Sequence, residues 1–466
     1  MGEDAAAATA SFLSWCDARG LVLDGVALRD AGDAGDPAPG SAAGAFLSAD
    51  AVARGRGVYA RRAFEPGEVV LKVPYGACLG TAGLACGIGR DAPPPFEGAA
   101  PSECLARVLI GARDDPEHAE RWAPYVRALP GPEPLDTPTS GRWSRKEVAE
   151  LQIGEAVFTT AVCLAKDAKA GRAFAAARKR QAEERLSGAG ASSDSRPFTA
   201  DSFDALTPAE LDAAQRDWAW AMSCVRSRAI ELAPEGGGER QVILVPFVDM
   251  MNHSHAEPNV EWRASPEFVE MTATRPIARD EELLTSYGSG PSAPSESFAL
   301  YQGFIGGHNP WDSVELFKTL PAAAAWYAET FKGERGETVV DVAKARGFAS
   351  ALAERAAGGA AGLQIRVGWH GRVSDELVEM LTTFNRQIMP DRADPLELAA
   401  HAVKVRCGEL LASFATSAEE DLAMLEDEKG ELSDRARLAV EFRLRKKAIL
   451  QSFIHPPEGA GGGTDE

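Results

Sequence analysis

The sequence predicts an α+β fold, interrupted by a helical insert and followed by an all-α region. Three observations predict it. Short apolar alternations broken by glycine cluster near residues 51–73 and again at 241–288. Between them lies a long stretch with apolar spacing near 3.6, and a second such stretch runs from Pro310 onward. The regular strand–helix alternation of a doubly wound sheet is missing, so a Rossmann-type nucleotide fold is excluded.

Taken in order, SFLSWCDARG at 11–20 reads as a short helix with Phe12, Leu13, Trp15 and Cys16 on its apolar side and Gly20 as its C-cap. Asp30 to Ala45 is rich in Gly, Ala, Asp and Pro and reads as a loop. GVYARRAF and VVLKVP read as two strands joined by the turn Glu65-Pro66-Gly67-Glu68. A Pro/Gly loop at 87–101 precedes a helical stretch from Ser102 to Leu232, broken near 187–197 by SGAGASSDSRP. Strand signals return at 241–250, 260–262, 268–277 and 282–288. The tail, 456–466, is Gly-rich and acidic and is expected to be disordered.

Composition bounds the function. The chain has 466 residues and a formal net charge of −20, which argues against a nucleic-acid partner because phosphate binding needs a basic surface. Seven scattered cysteines without a C-x-x-C pair indicate neither a disulfide framework nor a cysteine zinc site. No apolar run approaches the about 20 residues that span a bilayer. A reducing compartment, cytoplasm or nucleus, is expected, with a plastid as the alternative where a transit peptide has been removed. A monomer is expected. The basic runs Arg178-Lys179-Arg180 and Arg443, Arg445, Lys446, Lys447 are read as solvated helix faces, and Trp122, Trp218, Trp220 and Trp326 as core anchors.

Three segments could carry chemistry. Arg54-Gly55-Arg56-Gly57-Val58 has closely spaced glycines that let backbone approach a ligand, but it lacks the third glycine of a dinucleotide fingerprint. VPFVDMMNHSH, Val245 to His255, runs from a strand into Asp249, Asn252, His253, Ser254 and His255. His253 and His255 at i,i+2 give poor zinc geometry, so no metal is assigned. The third is Glu281 to Gly288, EELLTSYG, with Tyr287 at a strand end.

In order and spacing, GRGVYA, GEVVLKVP, SCVRSRA, VPFVDMMNHS, EELLTSYG and the trailing QGFIGGHNP resemble the SET methyltransferases of the Rubisco large-subunit lysine methyltransferase type. The segment SFATSAEEDLAMLED and the final RARLAVEFRLRKKAIL resemble that family's substrate-binding domain. The resemblance implies a SET catalytic domain at 11–307 with a helical insert at about 111–214, and a helical substrate-binding domain at 310–455. It implies S-adenosylmethionine as the cofactor, held against Arg54, Gly55 and Arg56, with Arg228 on its carboxylate, Asn252 and His253 on its polar groups and Phe304 on the adenine. Tyr287 matches the tyrosine at the point of methyl transfer, and Asp249 an acidic residue near the incoming side chain.

The implied activity is lysine N-methylation of a folded, non-histone protein. An in-line transfer from an activated sulfonium needs alignment more than acid–base groups. An apolar channel releases the amine's lone pair by disfavouring the ammonium. Two alternatives stand beside it. A sister branch methylates histidine, but Ile230, two residues past Arg228, is apolar where a polar side chain would orient an imidazole. A SET-like scaffold that binds proteins without catalysis is the other. Tyr301-Gln302-Gly303-Phe304 departs from the family's Tyr-Gly-Phe, so Gln302 stands where a second pocket tyrosine is expected, and the number of methyl groups added is left open.

Overall fold

The structure is a computed structural model that describes residues 2–29, 56–81, 98–116, 118–187, 207–232, 241–288, 294–331, 342–357, 365–388, 394–426 and 432–455. The loop at 30–45, most of the loops at 87–101 and 187–197, the tail at 456–466, and Arg54 and Gly55 lie outside the described residues.

The chain divides into two compact units. The first comprises Met1–Val148, Phe158–Ser289 and Glu296–His308. It opens with a helix, Gly2–Ala18, which begins earlier than the sequence suggests. Phe12, Trp15 and Cys16 of this helix are buried, while Leu13 is turned to solvent. Gly20 closes it at φ +76°, a conformation that disfavours any residue with a Cβ.

Small sheets follow. β1 (Val26–Arg29) pairs antiparallel with β2 (Gly57–Ala60). β3 (Val69–Pro74) pairs with β9 (Phe268–Ala273), which also pairs with β8 (Val260–Ala264), giving the order β3-β9-β8. β4 (Leu79–Gly80), β6 (Gln241–Leu244) and β5 (Ile230–Leu232) form a second sheet in the order β4-β6-β5. The turn before β3 is closed by Glu68 N–H on the Glu65 carbonyl at 3.0 Å, with Gly67 at φ +83°.

The predicted helical stretch from Ser102 to Leu232 is several helices: Pro101–Asp114, Ala119–Ala128, Arg145–Ala149, Gly154–Ser187 and Pro208–Arg228. Its last residues are a correction. The helix stops at Arg228, Ala229 is extended, and Ile230 lies in β5. The apolar period of WAWAMSCVRSRAI continues across that boundary, so spacing alone does not reveal it. Strands from both halves of the chain and the helices Pro101–Asp114 and Pro208–Arg228 share one core, anchored by Trp122, Tyr125, Trp218 and Trp220.

The second unit comprises Ala149–Val157, Gly290–Ser295 and Asn309–Glu466. It is helical, with helices at Leu320–Thr330, Val342–Ala357, Asp375–Ile388, Pro395–Ala412, Ala418–Glu426 and Asp434–Ile454. To these it adds an antiparallel ribbon of β11 (Ser313–Phe317) and β12 (Ile365–Gly368), which the helical reading from Pro310 does not contain.

The basic row on its last helix is not a solvated face. Arg443, Arg445, Lys446 and Lys447 are all buried. Lys446 pairs with Asp312 at 2.5 Å, Lys447 with Asp421 at 2.5 Å, and Arg443 with both Asp421 and Glu150. Charges inside a core are tolerated only when paired in this way. By contrast, Arg178 keeps its solvated position, half-exposed and bridged to Asp114 and Asp217.

Candidate active site

Two backbone crossings build the site. The segment at 281–285 lies beside β2: Ala60 N–H donates to the Glu281 carbonyl at 2.8 Å and Leu283 N–H to the Val58 carbonyl at 2.7 Å. On its other side β10 (Leu284–Thr285) runs parallel to β7 (Asn252–His253). Residues near 57, 252 and 285, far apart in sequence, thereby become neighbours.

At their meeting point Asn252 Nδ2 donates to Glu282 Oε1 at 2.7 Å and to the Arg56 carbonyl at 3.4 Å. Gly57 sits directly against this pair. A Cβ there would stand 2.6 Å from Glu282 Oε1 and 3.1 Å from Asn252 Nδ2, so only glycine fits without displacement.

Before β7 the chain turns sharply. Phe247 is held at φ +74°, uncommon for a residue with a side chain, and its buried ring stacks on Phe12 at 6.4 Å. The turn presents Asp249 to the wall of the site. Tyr125 donates its hydroxyl to Asp249 Oδ2 at 2.7 Å, while Oδ1 is buried without a partner among the described residues. Burial pushes the Asp249 carboxyl up to about 6, and Arg228 and the Tyr125 hydroxyl pull the other way without cancelling it.

Arg228, at the end of its helix, donates through Nη1 to the Asp249 carbonyl, and its Nε is buried without a partner among the described residues. Tyr287 is fixed at both ends. Its hydroxyl donates to the Met251 carbonyl at 2.5 Å and its backbone N–H donates to His253 Nδ1 at 3.0 Å. Since an amide can only donate, Nδ1 accepts in this contact, and the same nitrogen lies 3.3 Å from the Thr285 carbonyl. Tyr287 is 38% exposed as a residue, but its hydroxyl is enclosed on the Met251 carbonyl, and that enclosure pushes the phenol up to about 12, so it stays protonated at neutral pH. His253 stacks on Phe298 at 4.8 Å, and Phe304 packs 5.5 Å from the same ring.

Two cavities open on this arrangement. The first, about 450 Å³, is lined by Arg56, Leu129, Pro130, Met251, Asn252 and Phe304. The second, about 440 Å³, is lined by Ile230, Val245, Val248, Trp262, Met271 and Ser286. Five described residues line both: Ser227, Arg228, Asp249, Tyr287 and Gln302.

The structure therefore brings together Arg56, Arg228, Asp249, Asn252, His253, Tyr287, Gln302 and Phe304, and places Ile230 in the second cavity alone. Sequence reading missed Tyr125, Glu282 and Trp262. Glu282 sits inside the quoted EELLTSYG segment and could have been found there; Tyr125 lies 124 positions from Asp249 and carries no local signal.

The first cavity suits S-adenosylmethionine, which joins an amino-acid end to an adenosine. Arg56 and the open Nε of Arg228 match a carboxylate, which a guanidinium fork grips well. Gly57 leaves room for the Glu282 carboxylate that holds the Asn252 amide in the cavity wall, and Phe304 offers a ring for a base. Among the described residues no group of three or more His, Cys, Asp or Glu side chains is placed to hold a metal ion. Nor, among them, is any helix long and apolar enough to cross a membrane.

Comparison with known proteins gives the family. The SET domain family model matches residues 55–288, and the Rubisco LSMT substrate-binding family model matches residues 375–450. The actin-histidine N-methyltransferase of Homo sapiens is 23% identical over 247 residues, which is 51% of this chain and 40% of that protein. That of Danio rerio is 24% identical over 248 residues, with shares of 51% and 40%. The match thus spans about two fifths of these relatives' length. Among solved structures, LSMT bound to MeLysine and AdoHcy superposes with a TM-score of 0.58 at 18% identity, covering 96% of this chain and 90% of that one. Rubisco LSMT bound to sinefungin and monomethyllysine gives 0.58 at 18%, with the same coverage. At such identity the likeness is one of fold.

Proposed function

Since the chain belongs to the SET-domain family, we propose that it is an S-adenosylmethionine-dependent protein methyltransferase that modifies a lysine of a folded, non-histone protein. The observation that carries this reading is the pair of cavities meeting at Ser227, Arg228, Asp249, Tyr287 and Gln302. A donor held in one cavity and a nucleophile entering by the other would meet in line, the arrangement that methyl transfer requires.

When bound, S-adenosylmethionine supplies a methyl group already activated on a positive sulfur. What the chain contributes is position and desolvation. Arg56, Arg228, Asn252 and Phe304 hold the donor in the first cavity, joined in this reading by Arg54, Gly55 and His253. Ile230, Val245, Val248, Met271 and Trp262 form an apolar sleeve for the four methylenes of a lysine. The same sleeve disfavours the ammonium, whose ordinary pKa of about 10.4 would otherwise keep it protonated. Tyr287 spends its O–H on the Met251 carbonyl, so its oxygen keeps lone pairs to orient the arriving nitrogen. Asp249, the carboxylate of the shared wall, attracts the positive side chain on entry.

A second reading, histidine methylation, is supported by the likeness to the actin-histidine enzymes. Ile230 favours lysine over it, because an imidazole has a second nitrogen that an apolar wall leaves unpaired. Incubation with methyl-labelled S-adenosylmethionine and a cell extract, followed by acid hydrolysis of the labelled protein, separates the two. Methyllysine supports the proposal; methylhistidine replaces it with the second reading. No label, together with no calorimetric binding of S-adenosylmethionine, would favour a non-catalytic scaffold.

A further inference from the structure

The first cavity holds more positive charge than a methyl donor can use. Arg56, Arg127 and Arg228 all line it, and Asp249 is the one carboxylate among its lining residues. The helices Ala119–Ala128 and Pro208–Arg228 both end at this wall, and each presents about half a negative charge there. Three permanent guanidinium charges against one carboxylate and two helix ends leave about one positive charge over. Arg228 is accounted for: it donates to the Asp249 carbonyl and its charge acts on the Asp249 carboxyl. Arg127 is not. It stands exposed in the last turn of its helix and makes no hydrogen bond or ion pair among the described residues. The next peptide belongs to the cavity wall, because the Ala128 carbonyl accepts from Arg56 Nη1 at 3.4 Å, so Arg56 and Arg127 meet at one helix end.

S-adenosylmethionine brings a single carboxylate, which one guanidinium fork satisfies, together with an ammonium and a sulfonium. A further arginine beside it gains no anion and repels those two cations. An adenosine 5′-diphosphate (ADP) has the opposite balance: the same adenosine for the Phe304 ring, and phosphates in place of the amino-acid end. Arginine suits phosphate in charge and in the fork of its donors. We propose that Arg127 makes the first cavity a binding site for ADP, which competes there with S-adenosylmethionine and so inhibits the enzyme reversibly. This rests on the reading of that cavity as the methyl-donor site. No bond forms or breaks; occupancy alone decides.

Calorimetry on the full chain, without divalent cations, reads this apart from turnover. ADP should bind about tenfold or more tightly than adenosine, the usual worth of one charge-assisted pair, and should lower the apparent affinity for S-adenosylmethionine competitively. Arg127→Gln should lose most of the ADP gain while S-adenosylmethionine binds as well as before or better. A variant that only damaged the fold would weaken both ligands. Arg127→Lys keeps the charge and should retain part of the gain. Inorganic pyrophosphate, which lacks the adenosine, should bind more weakly than ADP. ADP no tighter than adenosine, pyrophosphate as tight as ADP, or a gain that survives in Arg127→Gln overturns the proposal while leaving the methyl-donor reading standing. No binding of S-adenosylmethionine to the wild type overturns that reading itself.

Discussion

Tyr287 and His253 fix each other: the tyrosine's backbone N–H donates to His253 Nδ1 at 3.0 Å and their rings lie 5.1 Å apart. The phenol at the junction of the two cavities is therefore held by an imidazole that is itself clamped on Phe298. Replacing His253 with alanine removes the acceptor and the stacked ring together. The expected loss is about 2–4 kcal/mol of stability, read as a lower urea midpoint, with a larger fall in methyl transfer than in cofactor affinity. An unmoved midpoint would show that the imidazole does not hold the loop.

Gly57→Ala tests the close approach at the first cavity. Its Cβ would collide with Glu282 Oε1 and crowd Asn252 Nδ2. Overpacking of this kind costs about 1–3 kcal/mol. Calorimetric affinity for S-adenosylmethionine should fall about tenfold as the Asn252–Glu282 pair is displaced; unchanged affinity would remove Asn252 from the binding wall.

Arg228→Lys keeps the charge and loses the fork. Because the guanidinium donates to the Asp249 carbonyl while Nε remains open, a lysine cannot do both. Cofactor affinity should fall by about tenfold or more in Arg228→Lys and no less in Arg228→Ala. Full retention by the lysine variant would mean that charge alone suffices.

Asp249 predicts a pH dependence. Its carboxyl is raised to about 6 in the folded protein, above its ordinary value near 3.9. Between those values the folded state binds more protons than the unfolded one, so this group's contribution to stability falls as pH rises from about 4 to about 6 and is flat above. Asp249→Asn removes that dependence, and near neutral pH it should be more stable relative to wild type than at pH 4, by an amount of order 2 kcal/mol. Urea midpoints measured across this range check it; parallel curves for the two proteins contradict it.

The opposite sign applies in the second unit. Burial would raise the Asp312 carboxyl, but Lys446 at 2.5 Å holds it below the usual range. Its stabilisation is present above about pH 4 and lost as pH falls through the folded value. Lys446→Met strands the carboxylate and should cost about 3–5 kcal/mol, and adding Asp312→Asn should recover most of that loss. Additive losses in the double variant would show that the two residues do not act as a pair.

Much of this was legible in the sequence, and the failures have physical reasons. β3 and its turn announce themselves through alternation and the Glu-Pro-Gly-Glu run, and the site segments could be recognised because GRGVYA, VPFVDMMNHS and EELLTSYG match a known family's motifs in order and spacing. What escaped depends on partners distant in the chain. Arg443, Lys446 and Lys447 read as surface charges because Asp312 and Asp421, which allow their burial, lie far away in sequence. Tyr125 is silent for the same reason. β5 was hidden because an apolar period runs on past Arg228, where the backbone turns extended without a capping residue to mark it. The ribbon of β11 and β12 is too short to separate from the helical pattern around it.

The most direct test of the meeting cavities is Tyr287→Phe, studied in binding and in transfer side by side. The phenol touches the junction but supplies no charge to the donor, so S-adenosylmethionine affinity should stay within a few-fold of wild type. Transfer of the labelled methyl group should fall about a hundredfold or more, the usual cost of losing one aligned polar group at the reacting atoms. Labelling by Tyr287→Phe at the wild-type rate would contradict the account.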